Sequence, residues 1–130
     1  MQQASREEIR SMSAAGLRAF FNIMKVWGVG DAQAQLLLGS PARSTFYKWK
    51  SDPEVALSHD TLERISYILG IYKALQILFP ASPAADGWVK KANDAPLFNG
   101  QSALERMSSG HMADLYVVRQ YLDAMRGGWA

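Results

Sequence analysis

Residues 31–50 read Asp-Ala-Gln-Ala-Gln-Leu-Leu-Leu-Gly-Ser-Pro-Ala-Arg-Ser-Thr-Phe-Tyr-Lys-Trp-Lys, and two short helices about a tight turn account for that order. Asp31 suits an N-cap, Gly39 closes a helix Ala32 to Leu38, and Ser40 with Pro41 opens the next, since proline tolerates a first turn. Leu36, Leu37 and Leu38 face a core from the first helix. The second offers Phe46 and Trp49 to the same core at a three-residue spacing. Arg43, Ser44, Thr45, Tyr47 and Lys48 remain outside, and these residue types reach phosphates and base edges. Lys50 extends the set, because Ser40 to Lys50 holds three cations and no acid. Apolar anchors on one side and cationic or hydroxyl residues on the other suit a helix-turn-helix recognition helix. Phe46 falls one residue later after Gly39 than the usual template expects, so a purely structural helical hairpin stays open at this point.

Helix signals continue on both sides. Upstream, Ser13 is expected to cap a helix to Trp27, with Leu17, Phe20, Phe21, Met24 and Trp27 on one face and Gly28 ending it. Residues 1–12 are polar and expected to be loose. Downstream, Ser51 to Leu57 reads as a loop, and Ser58 and Asp60 both offer caps. Asp60 with Glu63 predicts a capping box for a long helix to about Phe79. That helix is apolar almost all round and is expected to be the buried central element, ending at Pro80.

Ala81 to Gly87 shifts to small residues and proline. Trp88 is placed in a short helix starting near Pro83, and Ala95 to Gly100 reads as a turn-rich connection. Ser102 caps a short helix Ala103 to Ser109, stopped by Gly110. The final helix runs from Met112 to Arg126 with an apolar stripe of Leu115, Val118, Leu122 and Met125. The expectation is an all-α protein of six or seven helices, divided into a flexible 1–13, a helix-turn-helix domain 14–80 around the long helix, and a small helical module 81–130.

Composition narrows the chemistry. Hydrophobic residues are 48% of the chain, enough for a folded core. The absence of cysteine excludes disulfides, thiolate metal sites and a cysteine nucleophile. Net charge is +2, and residues 81–130 are neutral with five basic and five acidic side chains. Residues 1–80, with nine basic against seven acidic, therefore carry the whole excess. The most apolar run, Ile65 to Phe79, is too short for a bilayer, and the N-terminus has no signal-peptide pattern. A cytoplasmic location is expected.

No catalytic constellation emerges. Ser58-His59-Asp60 has the letters of a triad, but consecutive residues at a helix start do not face one another. The two histidines, His59 and His111, have no carboxylates at ligand spacing, so neither a metal site nor a cofactor is expected. Enzyme activity is not expected either.

A longer pattern is more specific. Leu57-Ser58-His59-Asp60-Thr61-Leu62-Glu63-Arg64-Ile65-Ser66 leads to Leu69-Gly70-Ile71-Tyr72-Lys73-Ala74-Leu75. Then come Trp88-Val89, Pro96-Leu97-Phe98-Asn99-Gly100-Gln101-Ser102-Ala103-Leu104, Gly110 and Val118-Arg119-Gln120-Tyr121-Leu122-Asp123. In order and spacing this set resembles the Xre/MbcA/ParS antitoxin family, from about residue 14 onward. Ala103 departs from it, standing where the family often has proline.

The resemblance implies a type II antitoxin that binds and blocks a toxin, usually a RES-domain protein that consumes NAD. It also implies repression of its own operon through the helix-turn-helix. On that reading the DNA-facing residues are Arg43, Ser44, Thr45, Tyr47, Lys48 and Lys50. The toxin-binding module carries Trp88, Leu97, Phe98, Gly100 and Leu104 in its signature, with Trp88, Phe98 and Leu104 read as core more than as direct contacts. Arg119, Arg126 and the end of the chain, Gly127, Gly128, Trp129 and Ala130, are the expected toxin contacts. Alone, Trp129 reads slightly better as a cap on its own core; within an antitoxin it reads as a probe entering a cleft. Arg119 is open between a bridge to Asp123 and a partner contact. A homodimer is expected, as for many operator-binding proteins. A regulator with no toxin is the alternative, and an adaptor that has lost DNA binding is a third class.

Overall fold

The computed structural model describes residues 5–80 and 83–127. The first helix, α1 (Arg6–Trp27), begins well upstream of Ser13. Ser5 and Glu8 form a reciprocal capping box, each side chain accepting the other's backbone N–H, so residues 6–13 are helical. Ser13 is not a cap. It is fully buried, donates to the Ile9 carbonyl at 2.6 Å and accepts the Leu57 N–H at 2.9 Å. The helix ends at Gly28, whose φ of 68° lets the backbone turn back without a Cβ penalty. Lys90 donates to the Gly28 carbonyl at 2.6 Å, a cation set at a helix C-terminus.

Two more starts differ from expectation. The second helix, α2 (Asp31–Leu37), begins at Asp31 itself, with Gly30 as a cap that makes no side-chain bond. The third, α3 (Arg43–Ser51), begins at Arg43, after Ala42, and not at Ser40-Pro41. Pro41 disfavours the helical region for the residue before it, and Ser40 takes φ 59° directly after Gly39 at 91°. Two left-handed residues in succession lengthen the turn. It is held by Gln35, which donates to the Pro41 carbonyl at 2.6 Å.

The long helix is α4 (His59–Leu78). Ser58 caps it by accepting the Thr61 N–H. The expected Asp60–Glu63 box does not form, because both carboxylates have other partners. Asp60 accepts from Arg64 at 3.0 Å and Glu63 from the Tyr67 hydroxyl at 3.0 Å. Thr61, Ile65, Ile68, Ile71, Ala74 and Leu75 are buried, so α4 is the element about which the rest packs.

After it come α5 (Pro83–Gly87), a 3-10 turn at Trp88–Lys90, α6 (Ala103–Met107) and α7 (Met112–Met125). Ser102 and Glu105 form a second capping box at α6. The loop between is pinched by paired bonds from the Asn93 N–H to Gln101 and the Gly100 N–H to Asn93, both 3.0 Å.

The largest packing seams are α4 on α7 and α1 on α4. Contacts advance in step along α4 and α7, Tyr67 meeting Tyr116 and Gly70 meeting Arg119. One apolar cluster runs through both halves of the chain, from Leu17, Phe20 and Phe46 through Ile68 and Leu75 to Val118 and Leu122. Leu37 and Leu38 are buried while Leu36 is only half-buried. Met125, expected in the apolar stripe of α7, is exposed, because the core ends one turn earlier at Leu122.

Candidate functional site

Two surfaces carry the polar chemistry. The first is the outer face of α3. Phe46 is fully buried against Phe21, ring centroids 5.5 Å apart and edge to face, and Trp49 packs half-buried on the core. These two anchors set the rotation of α3. Arg43, Ser44, Tyr47, Lys48 and Lys50 are then exposed, and Thr45 half-buried. The later register of Phe46 does not displace it from the core, since the longer turn supplies the extra residue.

The outward residues are not equivalent. The Arg43 guanidinium lies over the Tyr47 ring, 5.7 Å from its centroid, a cation–π contact that holds both on one side of the helix. Lys50 is paired with Asp31 at 2.8 Å. The Lys50 ammonium holds the Asp31 carboxyl below its usual range, with a smaller contribution from Tyr47. Among the described residues Arg43 and Lys48 enter no ion pair. Asp31 is thus a member of this surface that the sequence reading placed elsewhere. The pair spans nineteen residues, a separation with no local periodic signal.

The turn before α3 is tied to segments distant in the chain. A Cβ at Gly39 would stand 2.9 Å from the Arg64 Nε, so glycine there admits the guanidinium as well as the left-handed φ. Arg64 also donates to the Gly110 carbonyl at 2.9 Å, just before α7. Gln33 of α2 donates to Ser108 at 3.3 Å.

The second surface lies around α7. Trp88, Phe98 and Tyr121 form an aromatic cluster: Trp88 meets Phe98 edge to face at 5.8 Å, and Phe98 meets Tyr121 likewise at 5.2 Å. Phe98 and Leu104 are buried, while Trp88 and Leu97 are half-buried. Arg106 donates to the Leu97 carbonyl and pairs with Asp114 at 3.1 Å, tying the loop to α6 and α7. Gly100 takes φ 83° in the exposed turn after Asn99. These signature positions build the module's interior and its loop. Tyr121 shares the cluster; its aromatic character was the available signal.

Arg119 does what one of its two readings required: it pairs with Asp123 at 3.5 Å and donates to the Ser66 carbonyl at 3.4 Å. Arg126 reaches the other side of Asp123 at 3.7 Å. Both side chains remain about one-third exposed. Gly127 ends α7 at φ 78°. Gly128, Trp129 and Ala130 lie outside the described residues.

Ser58 serves α4 as its cap, and His59 is almost fully exposed beside Glu63. No group of three or more metal-ligating side chains occurs among the described residues. No helix among them is long and apolar enough to cross a membrane.

Comparison with known proteins matches both surfaces to described domains. Residues 9–70 match the antitoxin Xre-like helix-turn-helix domain, and residues 74–128 match the antitoxin Xre/MbcA/ParS C-terminal toxin-binding domain. The uncharacterized protein y4oB of Sinorhizobium fredii is 51% identical over 114 residues, covering 88% of this chain and 86% of that protein.

Proposed function

The chain belongs to the Xre/MbcA/ParS antitoxin family, and on that premise we propose that it neutralises a RES-domain, NAD-consuming toxin and represses its own operon. The observation that carries the proposal is the succession of a helix-turn-helix domain and a toxin-binding domain along one chain. The antitoxin acts by binding, not by catalysis. As working units, 14–80 binds DNA and 81–130 binds the toxin, and the protein works as a cytoplasmic homodimer.

On the DNA side, Arg43, Ser44, Tyr47 and Lys48 are the first contacts, supported by their exposure on a helix that Phe46 anchors. Thr45 contributes from the edge of that face. On the toxin side, Arg119 on α7 and Arg126 at its C-cap are supported by partly exposed side chains. Trp88, Leu97, Phe98, Gly100 and Leu104 shape the module beneath them. The segment Gly127, Gly128, Trp129 and Ala130 is proposed to enter the toxin's cleft.

Co-expression with the product of the adjacent gene tests the toxin reading. That product alone is expected to deplete cellular NAD and arrest growth, and this chain to restore both and co-purify with it. Neither rescue nor a complex would leave a regulator without a toxin. Rescue of growth arrest that involves no NAD loss would retain the antitoxin and overturn the RES assignment. Replacing Trp129 by alanine is expected to weaken neutralisation and leave DNA binding unchanged.

A further inference from the structure

The cations of α3 differ in one respect that exposure alone conceals. Lys50 donates a 2.8 Å charge-assisted hydrogen bond to Asp31, while Arg43 and Lys48 have no acidic partner among the described residues. Asp31 is the first residue of α2 and caps nothing. Its carboxylate stands next to Tyr47, whose ring is covered by Arg43. A carboxylate therefore lies within the surface proposed to approach a polyanion.

Such placement has a consequence for binding. Duplex DNA carries about one negative charge per 1.7 Å of axis, and each lysine that neutralises a phosphate contributes through counterion release. Lys50 has three N–H donors, but its single charge fully neutralises a phosphate only if it gives up Asp31. The carboxylate would then be uncompensated beside the phosphates. Both charges are more than one-third exposed, so the pair adds little to fold stability. Its effect falls on the electrostatics of the surface.

We infer that Asp31 is a counter-charge that withholds Lys50 from the DNA backbone and so lowers the number of phosphates α3 engages. Resting on the DNA-binding reading above, this makes Asp31 a residue that tunes operator affinity without touching DNA. The backbone-contacting cations of α3 are Arg43 and Lys48, with Lys50 in reserve.

The experiment uses the full chain and a labelled duplex spanning the region upstream of its own gene, with affinity measured across a salt series. In Asp31→Asn, binding is expected to tighten and the log–log salt slope to steepen by about 0.9, one phosphate contact. Between about 50 and 200 mM salt, that added slope amounts to a further threefold loss of affinity. Lys50→Ala in the wild-type background is expected to leave the slope unchanged. Combining the two substitutions is expected to return both affinity and slope to wild-type values.

An unchanged slope in Asp31→Asn overturns the inference. So does a flattened slope in Lys50→Ala alone, since Lys50 would then already be reaching a phosphate. Tightening that persists in the double variant also overturns it, by assigning the effect to direct repulsion from Asp31. Absence of wild-type binding to the duplex overturns the DNA-binding reading itself, a failure distinct from all three.

Discussion

Replacing Gly70 by alanine should stabilise this protein slightly and yet weaken its grip on the toxin. Gly70 lies inside α4, where glycine costs about 1 kcal/mol relative to alanine. A Cβ built there would stand 2.3 Å from Cζ and Nη1 of Arg119. What must move is the end of a long, one-third-exposed side chain, and not the backbone of either helix. Displacing it forfeits the Arg119–Asp123 pair, worth about 0.3–0.5 kcal/mol as an exposed i,i+4 contact. The bond to Ser66 is 3.4 Å long, at the weak limit for a hydrogen bond. The helix gain exceeds these losses, leaving a net stabilisation of about 0.5 kcal/mol.

Urea denaturation followed by circular dichroism measures that difference directly. A loss of more than about 1 kcal/mol would refute the reasoning, by showing that the α4–α7 crossing cannot release the guanidinium at the cost of a surface pair. Toxin binding supplies a second readout. If Arg119 touches the toxin, Gly70→Ala and Arg119→Ala should each weaken the complex by more than about 1 kcal/mol, roughly fivefold, the usual threshold for an energetically significant contact. Equal affinity in both variants would reduce Arg119 to an internal tie between α4 and α7.

Other expectations follow from buried and paired groups. Ser13→Ala strands the Leu57 N–H in the interior and should cost about 1–3 kcal/mol; a change below about 0.5 kcal/mol in the same denaturation would show that the N–H finds another acceptor. Phe98→Ala should cost about 3–5 kcal/mol by opening a cavity beside Trp88 and Tyr121, so weakened toxin binding in this variant should track its thermal unfolding and recover on cooling. The Tyr67 phenol should ionise at higher pH than an ordinary tyrosine, because its hydrogen bond to Glu63 holds it neutral and burial adds to the effect. That bond supports the fold below the ordinary tyrosine range and is lost as pH rises through the raised value. Absorbance titration should therefore show the Tyr67 phenol shifting down in Glu63→Ala, and an unchanged titration would contradict the pairing.

Much of the α3 surface was legible in order of residues, because burial of Phe46 and Trp49 at a three-residue spacing leaves only one face for Arg43, Ser44, Tyr47 and Lys48. The charge state of that face was not legible. Asp31 and Lys50 are nineteen residues apart, and from sequence Asp31 had an equally good local role as a cap. The same ambiguity misplaced Ser13 and Asp60. A hydroxyl or carboxylate before a helical run can cap it, pair along it or reach a distant backbone, and local spacing ranks these alike.

By itself the sequence determined the helical period, the stops at Gly28 and Gly39, the cap at Ser102, and the identity of the core helix α4. These follow from short-range sterics and hydrogen bonding, which act within one turn of helix. Only the tertiary structure decided that Ser13 closes the α1–Leu57 seam, that Arg64 lies between Gly39 and Gly110, that Gly70 admits Arg119, and that Lys50 is already occupied. Each of those is a contact between residues far apart in the chain. Which partner wins depends on how the apolar faces dock, because packing of the core fixes where every polar group is left to find its bond.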